Sequence, residues 1–137
     1  MKRTDILYTE SVAELRRTVP ELEQDYQQQV REWASDEPHA HVVFGSTFSA
    51  FIRRIQATVN NDRDSKKDDL LARCFQFIEE LASSSDFESR CLIEASVLES
   101  LLGNEREDWQ RFSPYFGQQT KLMAVRLMKQ WGKDNLG

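Results

Sequence analysis

The sequence predicts an all-α protein, a single domain of six to seven amphipathic helices arranged as a bundle or a short stack of helix pairs. Three observations carry this. Apolar residues recur three and four positions apart along most of the chain, the period of one helical face. Only five glycines and three prolines punctuate 137 residues, which favours long helices over tight hairpins. Residues suited to capping stand before several of the periodic stretches.

The elements follow in order. "ESVAELRRTV" places Val12, Leu15 and Val19 on one face, with Thr9 as its expected cap. Pro20 suits the first turn of a second helix, where its missing N–H costs nothing. In "PELEQDYQQQVREWA", Leu22, Tyr26, Val30, Trp33 and Ala34 share one arc, and Glu21, Gln24, Asp25, Gln28, Arg31 and Glu32 occupy the other side. Pro38 biases Glu37 toward extended backbone, so "SDEPHAHVVFG" reads as a break that Gly45 closes. Ser46 or Thr47 is then expected to cap a third helix with Phe48, Phe51, Ile52, Ile55 and Val59 inward.

The polar stretch "NNDRDSKKDD", 60–69, reads as a mobile loop. Asp68 or Asp69 is expected to cap a fourth helix that turns Leu71, Cys74, Phe75, Phe77, Ile78 and Leu81 inward. Asp86 caps the fifth. That helix carries Phe87, Cys91, Leu92, Ala95, Leu98, Leu101 and Leu102 on one face, with Ile93 and Val97 widening it, so it should be central with neighbours on two sides. Gly103 and Asn104 end it. "EREDWQRFSPYFG" is a short helix broken before Pro114, and "QQTKLMAVRLMKQW" is the last helix, stopped by Gly132. The domain is expected to span 1–137, with a short flexible N-terminus at 1–8.

Composition narrows the function. A hydrophobic content of 39% and a charged content of 30% fit an ordinary globular domain, long enough to bury a core without metal or disulfides. A net charge of −5 argues against nucleic acid and against an anionic membrane surface as partners. No signal-peptide core and no apolar run of membrane-spanning length is found, and Cys74 and Cys91 read as small buried hydrophobes. The expectation is a cytoplasmic protein with no cofactor.

His39 and His41 are the candidates for chemistry. In extended backbone they would project to the same side and could share a metal. A zinc site needs three or four ligands, and no Cys-x-x-Cys or His-Glu-x-x-His spacing supplies the others. A hydrolytic base would want a nucleophile and an orienting acid. Ser46 and Asp36 are close only in sequence. The preferred reading is a buried loop anchor, with ring nitrogens bonded to backbone. Glu94 falls inside the apolar arc of the fifth helix, where Arg90 or a loop histidine should neutralise it. No phosphate-binding, dinucleotide or calcium-loop pattern is present.

Charge is unevenly spread. Between Glu79 and Asp108 lie nine acids and two arginines, and from Trp109 onward five bases face one acid. The acidic stretch adjoins Trp109, Phe112, Tyr115 and Phe116, and aromatics beside charge are the material of a protein-binding hot spot. Glu99, Glu105, Glu107, Asp108 and Trp109 are therefore the candidate partner-binding residues, with His39, His41 and Phe44 as a possible second surface.

The stretches "HVVFG" (41–45), "FQFIEELASSSD" (75–86), "LIEASVLESL" (92–101) and "YFGQQTK" (115–121) resemble a family of small, mostly bacterial helical proteins catalogued as a domain of unknown function. Proteins of this kind look like the immunity proteins encoded beside antibacterial toxins. The resemblance implies a non-catalytic protein that binds and occludes a cognate toxin with a basic surface. A helical adaptor is the second expectation, and a metal-dependent hydrolase using His39 and His41 the third.

Overall fold

The computed structural model of the chain describes residues 5–33, 38–62, 65–103 and 106–132. Among them there is no strand, and seven helices form one all-α domain. Helix α1 is Ser11–Thr18 and α2 is Glu23–Trp33, separated by a 3-10 turn at Pro20–Leu22. Helix α3 is continuous through Ala40–Val42, a π-helical segment Val43–Phe48, and Ser49–Asp62. Helix α4 is Ser65–Ala82. Helix α5 has the same composite build: Phe87–Cys91, a π-helical segment Leu92–Leu98, and Glu99–Leu101. Helix α6 is Arg106–Phe112, followed by a 3-10 turn at Ser113–Tyr115, and α7 is Gln118–Gln130.

α5 is central, as its apolar circumference predicts. Leu92, Ile93, Val97, Leu98, Leu101 and Leu102 are all buried, and the helix packs on α3, α4 and α7. One continuous core joins Ile6 at the N-terminus to Met128 on α7. Phe87 and Ala95 depart from this pattern, Phe87 at 67% exposed and Ala95 on the outer side of the helix. Phe87 stands one residue after the Asp86 cap, before the helix has turned inward, with the Arg90 guanidinium over its ring at 5.7 Å.

Gly45 does not end a segment. It lies inside α3, in the π-helical turn, and faces the π-helical turn of α5: a Cβ placed on Gly45 would stand 3.5 Å from Ser96 Cβ. Two hydroxyls accompany the widened α3 turn. Ser49 Oγ donates to the Phe44 carbonyl at 2.9 Å, and Ser100 Oγ to the Gly45 carbonyl at 2.8 Å. The chain enters α3 at Ala40, after an extended His39, so neither Ser46 nor Thr47 is a cap.

Other boundaries also differ from expectation. Within the expected loop 60–69, residues 63 and 64 lie outside the described residues, while α3 runs to Asp62 and α4 starts at Ser65, ahead of both Asp68 and Asp69. A polar sequence at the outer ends of two packed helices keeps helical backbone because tertiary packing of the inner face carries it. Of the N-terminal segment 1–8, residues 1–4 lie outside the described residues, and 5–8 are tied to the turn between α4 and α5. Ile6 is buried, and its carbonyl accepts from Ser84 Oγ at 2.9 Å and Ser89 Oγ at 2.7 Å. Thr9 sits within a 3-10 turn, Tyr8–Glu10, and it is Ser11 Oγ that bonds back to the Tyr8 carbonyl at 2.7 Å. Asp86 caps α5 as expected, accepting from the Glu88 N–H, and its other oxygen accepts from the Tyr8 N–H at 2.6 Å. Cys74 is buried and Cys91 half-buried, both as free thiols. Among the described residues no helix is long and apolar enough to cross a membrane.

Candidate partner-binding surface

The acidic stretch does not form one rim. Glu99 on α5 and Glu107 on α6 are exposed, while Glu105 lies outside the described residues. Asp108 is 0% exposed. Its two oxygens accept from Arg53 Nη1 and Nη2, both at 3.1 Å, and Arg53 Nη2 also donates to the Ser100 carbonyl at 2.6 Å. The reason is phase. Asp108 and Phe112 are one turn apart on α6, so both face the core and the Arg53 guanidinium that lies 5.5 Å from the Phe112 ring. Asp108 docks a helix and offers nothing to a partner. Trp109 is half-buried and edge-on to Phe116, centroids 6.0 Å apart, and Phe116 in turn meets Phe75, the ring that also contacts Phe112 and Tyr115.

The histidine segment is likewise divided. His39 and His41 are exposed rather than buried, and no backbone group holds either ring among the bonds described. His41 Nδ1 lies 2.6 Å from Ser96 Oγ, the hydroxyl in the widened turn of α5, with the Tyr8 ring 5.9 Å away. His39 meets Trp33 edge-on at 6.0 Å. Phe44 is fully buried against Phe48 and Phe77 and belongs to the core instead of a surface. Among the described residues no group of three His, Cys, Asp or Glu side chains is placed to hold a metal ion.

Glu94 is half-buried and paired with Arg126 of α7 at 2.7 Å, so its partner is neither Arg90 nor a histidine. Arg90 donates instead to the Ser84 carbonyl, at 2.7 Å.

A concave surface that the sequence reading did not single out lies between α2 and α3. The two helices run antiparallel, and three contacts climb the hairpin at one-turn intervals of α2. Arg54 Nη2 donates to Asp25 at 2.7 Å, Thr47 Oγ1 donates to Gln29 Oε1, and Trp33 meets His39. On the solvent side of this ladder is an open cleft of about 250 Å3. Gln28, Gln29 and Glu32 line it from α2, and Ser46, Thr47 and Ala50 from α3, while Asp25 and Arg54 close one end. Gln28 Nε2 donates to Glu32 Oε1 at 3.0 Å, and Arg31 Nη2 to Gln28 Oε1 at 2.7 Å. Trp33, one turn beyond Gln29 on α2 and next in sequence to the lining residue Glu32, is 36% exposed and stands outside the lining itself. α2 is held in place from behind by Arg16 of α1. Its guanidinium lies over the Tyr26 ring at 4.3 Å and pairs with Glu23 at 2.7 Å. Hydrogen bonds from Arg16 and then Gln27 hold the Glu23 carboxyl down at about 2. The signal for the cleft was present in the sequence, in the polar arc of α2, but its concavity depends on how α3 packs.

The four stretches that carry the family resemblance prove to be two contacting pairs. "HVVFG" meets "LIEASVLESL" where His41 and Gly45 touch Ser96 and Ser100. "FQFIEELASSSD" meets "YFGQQTK" through Glu79, whose carboxylate accepts from the Gln119 N–H and the Thr120 N–H, each at 2.9 Å, and from Thr120 Oγ1 at 2.8 Å. That carboxylate caps α7 from another helix. It sits where a Cβ on residue 117 would be, 2.5 Å from its Cδ, so residue 117 is glycine. These motifs describe how helices dock, which makes them marks of a fold.

No curated protein and no solved structure matches the chain. Among protein families, the one described as Domain of unknown function (DUF7674) matches residues 12–132. That match runs from the first turn of α1 to the end of α7, and the chain belongs to this family.

Proposed function

We propose that the chain is a protein-binding module that acts as an immunity protein, docking in the cytoplasm on a cognate toxin with a basic surface and covering its active site without catalysis. The observation that carries this reading is the α2–α3 cleft. It is concave, polar and open, with two carboxylates, Asp25 and Glu32, against one cation, Arg54, and an exposed indole adjacent. A rigid hairpin presenting charge beside a large aromatic ring is suited to recognising another protein. The chain's net charge of −5 steers a basic partner toward it and away from nucleic acid. Exposed Glu99 and Glu107 add to the same field from α5 and α6.

The test is co-expression with the product of the adjacent gene. The reading expects that product alone to arrest growth, the chain to restore it, and the two to co-purify in a complex that weakens as salt is raised. Persistent arrest in the presence of well-expressed chain, with no complex recovered, overturns it.

A further inference from the structure

We propose that the α2–α3 cleft is a receptor for a single arginine side chain of the partner, the guanidinium pairing with Glu32 and lying against Trp33. The inference rests on the protein-binding reading above and names what enters the site. Size is the first argument: about 250 Å3 is below the roughly 300–1,000 Å3 of small-molecule sites, and suits one long side chain.

Charge is the second argument. Asp25 is answered by Arg54 at 2.7 Å, whereas the described partner of Glu32 is a neutral amide, Gln28, at 3.0 Å. One carboxylate in the cleft is therefore met by an amide where a cation would bind more strongly. An anionic ligand would face both Asp25 and Glu32, while Arg54 is already engaged by Asp25 and Arg31, outside the lining, by the Gln28 amide oxygen. A cation is the complementary guest.

Arginine is preferred to lysine for geometric reasons. Acceptors line both walls, the Glu32 carboxylate on α2 and the Ser46 hydroxyl on α3, and a planar fork of five N–H groups addresses two walls at once. Trp33 stands on the same stripe as Gln29, with His39 against it edge-on at 6.0 Å. An indole face takes a guanidinium by cation–π attraction and stacking. An ammonium gains less from that flat surface.

The experiment titrates acetyl-arginine amide, acetyl-lysine amide and acetyl-citrulline amide into the 15N-labelled full chain and follows amide, indole and side-chain NH2 signals by NMR. Citrulline keeps the shape of arginine and lacks its charge. Arginine should move the Trp33 indole, the Glu32 amide and the Gln28 NH2 group together, with weak saturable binding. Lysine should bind several-fold more weakly, and citrulline should leave these signals in place. Glu32→Gln should abolish the response and Trp33→Leu reduce it several-fold, in spectra whose remaining peaks report an intact fold. Equal shifts with arginine and citrulline, or an undiminished arginine response in Glu32→Gln, overturn the proposal. Growth rescue separates it from the broader reading. Full rescue by Glu32→Gln removes the arginine receptor and leaves an immunity protein using Glu99 and Glu107. An arginine response without any rescue removes the immunity role and retains the receptor.

Discussion

At the scale of single residues, burial decides which charges are structural. The sequence reads Asp108 as a surface acid and Glu94 as a carboxylate within an apolar arc, and the structure reverses the two. Asp108 is fully enclosed, and removing it leaves the Arg53 guanidinium, one-third exposed, without its carboxylate beside the Phe112 ring and with the Ser100 carbonyl still accepting from it. Asp108→Ala should cost about 3 kcal/mol, at the lower end for a broken buried pair because Arg53 keeps some water. Urea unfolding measures this, and a loss below 1 kcal/mol would contradict the assignment. Glu94 pairs with an Arg126 that is 62% exposed, so Glu94→Ala should cost no more than about 1 kcal/mol. Its location on the apolar arc, read without knowledge of α7, suggests a much larger loss. Cys74 follows the same rule. Burial pushes the Cys74 thiol up to about 12, so at neutral pH it carries no thiolate. Iodoacetamide should leave Cys74 unmodified in the native protein and label it once urea opens the core, as peptide mass spectrometry would record. Residue identity alone shows none of this, since each outcome depends on a helix far away in sequence.

At the scale of elements, two docking devices hold the ends of helices, and each predicts a coupled response. Glu79 on α4 caps α7 in a space that Gly117 leaves open. Gly117→Ala forces that carboxylate aside and should destabilise by about 1–2 kcal/mol, the cost of a lost cap. Because Glu79→Ala removes the same cap, the double variant should be little worse than either alone. Additive losses would mean that Gly117 serves another purpose. The second device is the N-terminal strap. A backbone and then a side-chain hydrogen bond from Ser85 hold the Asp5 carboxyl below its usual value of 3.8, and the Tyr8 N–H does the same for Asp86. Both folded-state values are depressed, so their contribution is complete above the unfolded value and is lost as pH falls through the folded one. The strap should stay docked at neutral pH and loosen below about pH 3.8, seen as loss of the dispersed Tyr8 and Ser85 amide signals before global unfolding. Simultaneous loss with the core signals would contradict this order. The helix identities and their inward faces were legible, because a 3.6-residue period survives in any packed helix. The local Asp86 cap was legible too, but the Glu79 cap and the strap were not, because their partners lie 40 to 80 positions away in sequence.

At the scale of the whole molecule, the architecture turns on the crossing of α3 and α5. The sequence makes α5 the central helix through its all-round apolar surface, and Gly45 looks like a terminator by the usual reading of glycine. Both observations are accounted for by one contact. The π-helical turns of the two helices lie against each other at Gly45 and Ser96, with Ser100 bonding across at 2.8 Å and His41 reaching Ser96 at 2.6 Å. Close approach here sets the separation of the two halves of the core, and through α3 it sets the angle at which α2 leans and the cleft opens. The glycine has no special backbone angle, and a methyl group at that position would meet Ser96 at an ordinary 3.5 Å. Gly45→Ala should therefore be tolerated, and even stabilise by about 0.5 kcal/mol, since alanine loses less backbone freedom in a helix. Gly45→Leu has no such allowance. Its branches would enter the Ser96 backbone, drive α3 from α5 and cost about 1–3 kcal/mol as overpacking. Thermal and urea unfolding of the three proteins distinguish a steric crossing from a glycine needed for its conformation. If alanine destabilises as much as leucine does, the crossing is not what places α3, and the geometry of the cleft needs another origin.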